Sequence, residues 1–382
     1  MPDPPPGRGP APNARFHVLD TCRGICALLV ALFHFPVKGT LFDASRGDYL
    51  FVDFFFVLSG FVICHAYRRR LPGELASFVL RRVGRLWPLH LFALALLAAI
   101  HLTCRLALGR TFGPDHTLAS LPANLFLLQG LGTMDHLSWN VPSWSISVEF
   151  CLYLGFALLA ALPRGLFTPT AAALAGLGLA LLVTGSPTYM DATYHLGLAR
   201  GAAGFFAGTL VHGLWRRRSL QADGPAEALT AILVAAFVAL AGRGPGGFFS
   251  PLVFGLTVYV FADGRGPISR TLSLKPLRRL GEWSYSIYML HWPLIVCLMA
   301  GFALADRAGP AAPRPDGTVY LLEPAWASDL LALGYLAAVV CASALTYRRI
   351  EAPGRRLFAR LAARLGPAER NAARPAVAAD AP

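Results

Sequence analysis

Charge is what this sequence has least of. Only 14% of its 382 residues are Asp, Glu, Lys or Arg, against roughly 25% in a soluble globular domain. So little charge cannot cover a water-facing surface, which excludes an ordinary soluble enzyme and leaves lipid as the solvent for most of the chain. Acidic residues are scarcer still, 21 against 34 basic, for a formal net charge of +13. Paired cysteines are missing too. Cys22, Cys26, Cys64, Cys104, Cys151, Cys297 and Cys341 lie within or beside apolar runs with no Cys-x-x-Cys spacing. They read as small packing residues rather than as a disulfide framework or metal ligands. No internal repeat, separate soluble domain or cleavable signal peptide is evident. Residues 1–15 read as a Pro- and Gly-rich disordered tail, and the first apolar run holds Asp20 and Arg23.

What is present in quantity is apolar: 55% of the residues are hydrophobic. Hydrophobic spans fall at about 18–36, 48–67, 86–108, 143–162, 170–184, 197–215, 226–242, 248–262, 284–304 and 328–347. Several are shorter than the ~20 residues of a standard crossing, which implies tilt, thinning or shielding. With the N-terminus in the cytoplasm, 25 of the 34 basic residues fall on that side. They include Arg68 to Arg70, Arg81, Arg82, Arg85, Arg216 to Arg218 and a C-terminal series. That bias sets orientation by the positive-inside rule, and it also disposes of nucleic acid as the reason for the basic charge. The expectation is an all-α bundle of about ten spans with both termini cytoplasmic, multi-pass in the cell inner membrane. The membrane domain runs 16–353 and a basic amphipathic, then disordered, tail runs 354–382. Within that tail, Leu357, Phe358, Leu361 and Leu365 share one side and Arg356, Arg360 and Arg364 another, which suits a helix on an anionic leaflet. In the longest outer loop, Leu118 to Leu131 is apolar but interrupted by Pro122 and Asn124, and reads as re-entrant or interfacial.

Ionisable residues inside a bilayer are costly and so are functional candidates. Here they concentrate in the first four spans. Arg23 and His34 are eleven residues apart, about 20° of net rotation and ~16 Å of rise, so both project from one helix face. Asp53, entering from outside, falls at the depth of His34 and could fix its tautomer, or could simply cap its helix. Arg82 and Arg85 are neighbours at three residues' spacing. They suit a phosphate-bearing ligand, although positive-inside anchors have the same look. Glu149 lies about two turns into span four, with Trp144 and Ser145 nearer the mouth, and needs a partner such as His34. Ser284, Tyr288 and His291 add a polar ridge from span nine.

Taken together, the segments LDTCRG…FH, VDFFFVLSGF, RRVGRLWP, SWSISVEF, SYSIYMLHWP and IEAP resemble, in order and spacing, the acyltransferase type 3 family of integral membrane acyltransferases. The resemblance spans Leu19 to Pro353. It implies that Arg23 and His34 are the family's essential Arg–His pair, that Arg82 and Arg85 are its cytoplasmic Arg-x-x-Arg, and that Glu149 is its membrane Glu. Two departures stand out: Thr21-Cys22 replaces the usual Gly-Leu, and Phe150 replaces a frequent second Glu.

Both lines lead to one expectation. An acyl group, acetyl by the family's default, passes from cytoplasmic acyl-CoA as co-substrate to a hydroxyl of a carbohydrate or glycolipid acceptor. His34 acts as general base, oriented by Asp53 or Glu149, with Arg23 at the other end of the face. Arg82, Arg85, Trp144, Ser145, Tyr288 and His291 contact substrate, and neither a metal nor a resident cofactor takes part. Direct transfer is preferred, since no Ser or Cys sits in a recognisable nucleophile setting. A secondary transporter would use similar residues, but it would normally show paired halves with broken helices, and the sequence has no such symmetry.

Overall fold

The computed structural model describes residues 16–71, 74–109, 116–242, 244–308, 320–321 and 324–365. Among them run eleven helices of thirteen residues or more: α1 His17–Phe33, α2 Phe51–Tyr67, α3 Leu75–Leu108, α4 Trp144–Ala161, α5 Arg164–Gly185, α6 Gly197–Arg217, α7 Gly224–Ala241, α8 Ser250–Ala262, α9 Lys275–Ala308, α10 Ala325–Thr346 and α11 Ala352–Leu365. Their only sheet partner is one short parallel pairing, β1 Val37–Lys38 with β2 Tyr320–Leu321. The chain is a helical, multi-pass membrane protein, as composition predicts.

Among the described residues, eight stretches are long and apolar enough to cross a membrane. The expected count of about ten is reached only by adding α1 and α6, which fall outside those eight. α1 has 17 residues and carries Asp20 and Arg23. α6 is rich in Gly and Ala and carries Arg200, Arg216 and Arg217. Both are packed along other helices, α1 on α9 and α6 on α2 and α5, and Arg200 is buried, while Arg216 and Arg217 at the end of α6 are exposed.

Three expected starts move. α3 begins eleven residues before position 86, α9 nine before 284 and α5 six before 170; the first shift brings Arg81, Arg82 and Arg85 into the helix proper. A backbone in a low-dielectric setting keeps its hydrogen bonds by continuing the helix, and the charges are accommodated by partners. The segment expected to be re-entrant forms only the short helix Leu121–Leu125. Beyond it, irregular backbone is tied down by buried amides. Asn124 Nδ2 donates to Ser138 Oγ at 2.9 Å, Gln129 Nε2 to Ser143 Oγ at 2.9 Å, and the His90 ring meets the Asn124 carbonyl at 2.7 Å. Non-helical backbone at this depth is tolerated where protein satisfies it. Tail 1–15 and the residues beyond Leu365 lie outside the described residues.

Glycine fixes the crossing that matters most for the site. A Cβ on Gly24 would collide with the backbone of Leu280 and Gly281, and one on Gly281 with Asp20 and Thr21. α1 and α9 therefore meet backbone to backbone, the small-residue packing common between membrane helices. This holds Arg23 against Ser284 and, three turns further along, His34 against His291.

Candidate active site

A cavity of about 120 Å³ opens among α1, α2, α3, α4 and α9. Arg23, Arg82, Arg85 and Glu149 all line it, together with Ser145 and Tyr288. Arg23 comes from α1: its Nε donates to Ser284 Oγ at 2.8 Å, and Asp20 lies 3.3 Å from Nη2. Arg82 lies over the rings of Tyr67, Phe78 and Tyr153 at 5.3, 5.7 and 5.5 Å, a cation–π setting that holds a guanidinium in an apolar wall. Arg85 donates to Glu351 Oε1 at 2.5 Å and stacks on Tyr285. The expected pair of boundary arginines is thus turned inward, half-buried, with aromatic faces replacing water.

Glu149 faces the cavity, but its partners are not the expected His34. Its Oε1 accepts from Ser59 at 2.8 Å and from Tyr153 at 2.5 Å. Asp53 also departs from expectation. It is fully buried, and both its oxygens are held by Arg200, Nε to Oδ1 at 2.9 Å and Nη2 to Oδ2 at 3.0 Å. Among the described residues no hydrogen bond joins it to His34, whose Nδ1 is engaged elsewhere. Trp144 lies over Arg200 at 5.4 Å and does not line the cavity. Arg200 was not singled out in the sequence, although an arginine in an apolar span is itself a signal that a carboxylate lies nearby. Glu351 was missed as well. It is buried in the π-helical turn Tyr347–Glu351 between α10 and α11, where Ser286 donates to its Oε2 at 2.8 Å.

His34 caps the far end of α1, beyond the cavity. What orients it is its own helix: Nδ1 donates to the Val30 carbonyl at 2.9 Å. A carbonyl can only accept, so the neutral ring carries its proton on Nδ1 and its lone pair on Nε2. His291 packs against it with ring centroids 5.0 Å apart, Trp292 at 5.8 Å. Tyr288 joins this layer to the cavity. It packs on His291 at 5.6 Å and bonds Ser145 Oγ at 2.7 Å. Outside the layer lies an open bowl of about 590 Å³. Phe33, whose ring touches His34 at 4.9 Å, lines it, as do Phe42, Arg46, Tyr49, Tyr189 and Asp191. Tyr189 has φ +55, an uncommon conformation for a bulky residue and one that recurs at functional sites.

One face of α1 therefore joins an arginine-lined polar cavity to an imidazole at the edge of an opposite bowl. The fold and this arrangement define a membrane protein in which one helix face carries both a guanidinium on a cavity wall and an imidazole packed beside the bowl. The family profile described as an acyltransferase domain matches residues 16–348, and the chain belongs to that family, the acyltransferase type 3 proteins. It is an acyltransferase. Protein 2 in the picA locus of Rhizobium radiobacter is 33% identical over 162 residues, 38% of this chain and 83% of that protein. The acyltransferase MdmB of Streptomyces mycarofaciens is 26% identical over 387 aligned positions, 91% of this chain and 93% of MdmB. The O-acetyltransferase OatA of Staphylococcus aureus is 25% identical over 73% of this chain and 50% of its own length. No solved structure matches the chain.

Proposed function

We propose that the protein takes an acyl group, by default acetyl, from acyl-CoA at the arginine end of the cavity. It delivers the group to a hydroxyl of a carbohydrate or glycoconjugate at the His34 end, across the inner membrane with both termini in the cytoplasm. The observation that carries this reading is the one-helix link: Arg23 lines the cavity, and ~16 Å further along α1 His34 packs against Phe33, which lines the bowl. That separation is of the order of an extended pantetheine arm.

Arg82, Arg85 and Arg23 meet the phosphates of the donor, for which guanidinium forks are suited. The slender arm lies in the cavity, and the thioester reaches the ring layer. His34 Nε2 takes the proton of the acceptor hydroxyl as its oxygen attacks the thioester carbon, so that no acyl-enzyme forms. The bowl's aromatic rings and Asp191 suit a sugar, stacking on its apolar faces and accepting from its hydroxyls. A hydroxyl acceptor accords with the O-acetyltransferase named among the relatives.

The test uses full-length protein in detergent with radiolabelled acetyl-CoA. Wild type is expected to release or transfer the label. His34→Gln keeps size and polarity but cannot cycle a proton, so turnover should drop by about 10²–10⁴-fold while acetyl-CoA still binds. A His34→Gln protein with near wild-type turnover would overturn the mechanism. Wild-type protein that carries the label across a vesicle wall unchanged would point to a transporter.

A further inference from the structure

The C-terminal helix carries more positive charge than the protein around it answers. From Arg348 to Leu365 the chain holds six arginines and a single acidic residue, Glu351, which is buried and paired with Arg85. Arg356, Arg360 and Arg364 are four apart and so run as one stripe along α11. They are exposed, with no hydrogen bond or ion pair to any described residue. Leu357, Leu361 and Leu365 form a second exposed stripe, turned about 100° from the first.

The remaining side of α11 faces protein. Phe358, grouped with the leucines by the sequence pattern, instead fills a notch at Gly84 of α3, where a Cβ would collide with it. Ala362 is fully buried, and a Cβ on Gly354 would collide with Pro88. α11 is thereby strapped over the turns of α3 that carry Arg81, Arg82 and Arg85. Its foot is the π-helical turn whose Glu351 anchors Arg85, and Arg355 lies 3.7 Å from the same Glu351 oxygen.

We propose that α11 binds anionic phospholipid, and that the lipid holds this strap down on the donor arginines. The two exposed stripes specify the occupant. A cationic stripe beside an apolar one matches the boundary between headgroups and acyl chains, where guanidinium groups meet phosphate and leucines enter hydrocarbon. A free anion or a nucleic acid would engage the arginines and leave the leucines in water. Position agrees. The helical stretch Trp326–Leu365 has 40 residues, ~60 Å against a hydrocarbon core of ~30 Å, so α11 lies past the crossing, among the headgroups. With the proposed cytoplasmic C-terminus, those belong to the anionic inner leaflet. The lipid site stands apart from acyl transfer; its effect on the donor rests on the proposed contact between Arg85 and acyl-CoA.

The experiment places the full chain in nanodiscs of phosphatidylcholine, with or without phosphatidylglycerol. It reads amide hydrogen exchange along α11 and the dissociation constant for acetyl-CoA. Phosphatidylglycerol should slow exchange in α11 by about fivefold or more, and high salt should reverse the slowing. It should also tighten acetyl-CoA binding several-fold, against the repulsion that a negative surface exerts on a phosphate-bearing ligand. Arg356→Gln, Arg360→Gln and Arg364→Gln combined should abolish both effects. These side chains make no bond to the described protein, so the fold should be kept, and the salt titration of wild type needs no variant. Equal exchange in the two lipids, or slowing that the triple variant retains, would overturn the lipid site and point to an acidic protein partner instead. Slowed exchange with a donor constant that moves alike in both proteins would overturn the link to the donor arginines. Acetyl-CoA that binds neither protein would sink the proposed function, while the exchange data still decide the lipid site.

Discussion

Among the described residues two arginine–carboxylate pairs are buried in this bundle, Arg200 with Asp53 and Arg85 with Glu351, and they differ in what is left over. Arg200 is sealed. Its side chain is 1% exposed and that of Asp53 0%. Its N–H groups go to both Asp53 oxygens and to the carbonyls of Tyr49 and Ala192, while Tyr49 and Trp144 cover its faces. Arg85 is anchored at one nitrogen by Glu351, and its side chain remains 17% exposed on the cavity wall. Both pairs satisfy the rule that intramembrane charge is paired. Only the second keeps donors for a ligand. A charge inside a membrane protein is therefore structural or functional according to whether its fork is filled, not according to its depth.

Breaking that comparison begins with the sealed pair. Arg200→Ala strands a buried carboxylate, a loss of about 3–5 kcal/mol. It should empty the membrane of folded protein, measured by thermal stability in detergent; wild-type stability would mean that Asp53 is not the charge Arg200 compensates. Next comes the open pair with its neighbour. The double change Arg82→Ala with Arg85→Ala should weaken acetyl-CoA binding by about 10-fold or more, each charged hydrogen bond being worth roughly 1.5–3 kcal/mol. Because the wall is partly open, stability should fall far less than in Arg200→Ala. Unchanged affinity by calorimetry would reduce both residues to topological anchors. Glu351→Gln sharpens the contrast: it keeps shape but removes the charge that fixes Arg85, so donor affinity should shift only a few-fold. The smallest effect is expected at the bowl. Asp191→Asn should raise the KM for a sugar acceptor several-fold and leave acetyl-CoA affinity unaltered; a change in the donor constant instead would misplace the acceptor.

Helices were legible because long apolar runs admit little else in lipid, and the family was legible because six short segments recur in order. The alignment of Arg23 and His34 on one face of α1 follows from the helical repeat, which survives folding unchanged. Partners were harder to read. Asp53 and His34 share a depth, but depth does not say which helix is adjacent. That is set by glycines such as Gly24 and Gly281 on α1 and α9, or Gly60 and Gly208 where α2 meets α6, and a glycine has no chemistry to advertise its neighbour. Arg200 and Glu351 were overlooked for a related reason: each stands alone in its own segment and gains meaning only from a residue 147 or 266 positions away.

The ring layer has a bioenergetic consequence. Among the described residues, the cavity and the bowl share no lining residue; the rings of His34, His291 and Trp292 pack together and line neither. On the proposed route, water and ions would enter from either end without a continuous column through these rings, and an acyl group would pass without discharging the ion gradient of the membrane. Because aqueous vestibules conduct and the packed layer does not, the transmembrane voltage would drop mainly over the few ångströms occupied by these rings. Proton movement at His34 would then take place within the steepest part of the field, and turnover in sealed vesicles should respond to the sign of an imposed potential.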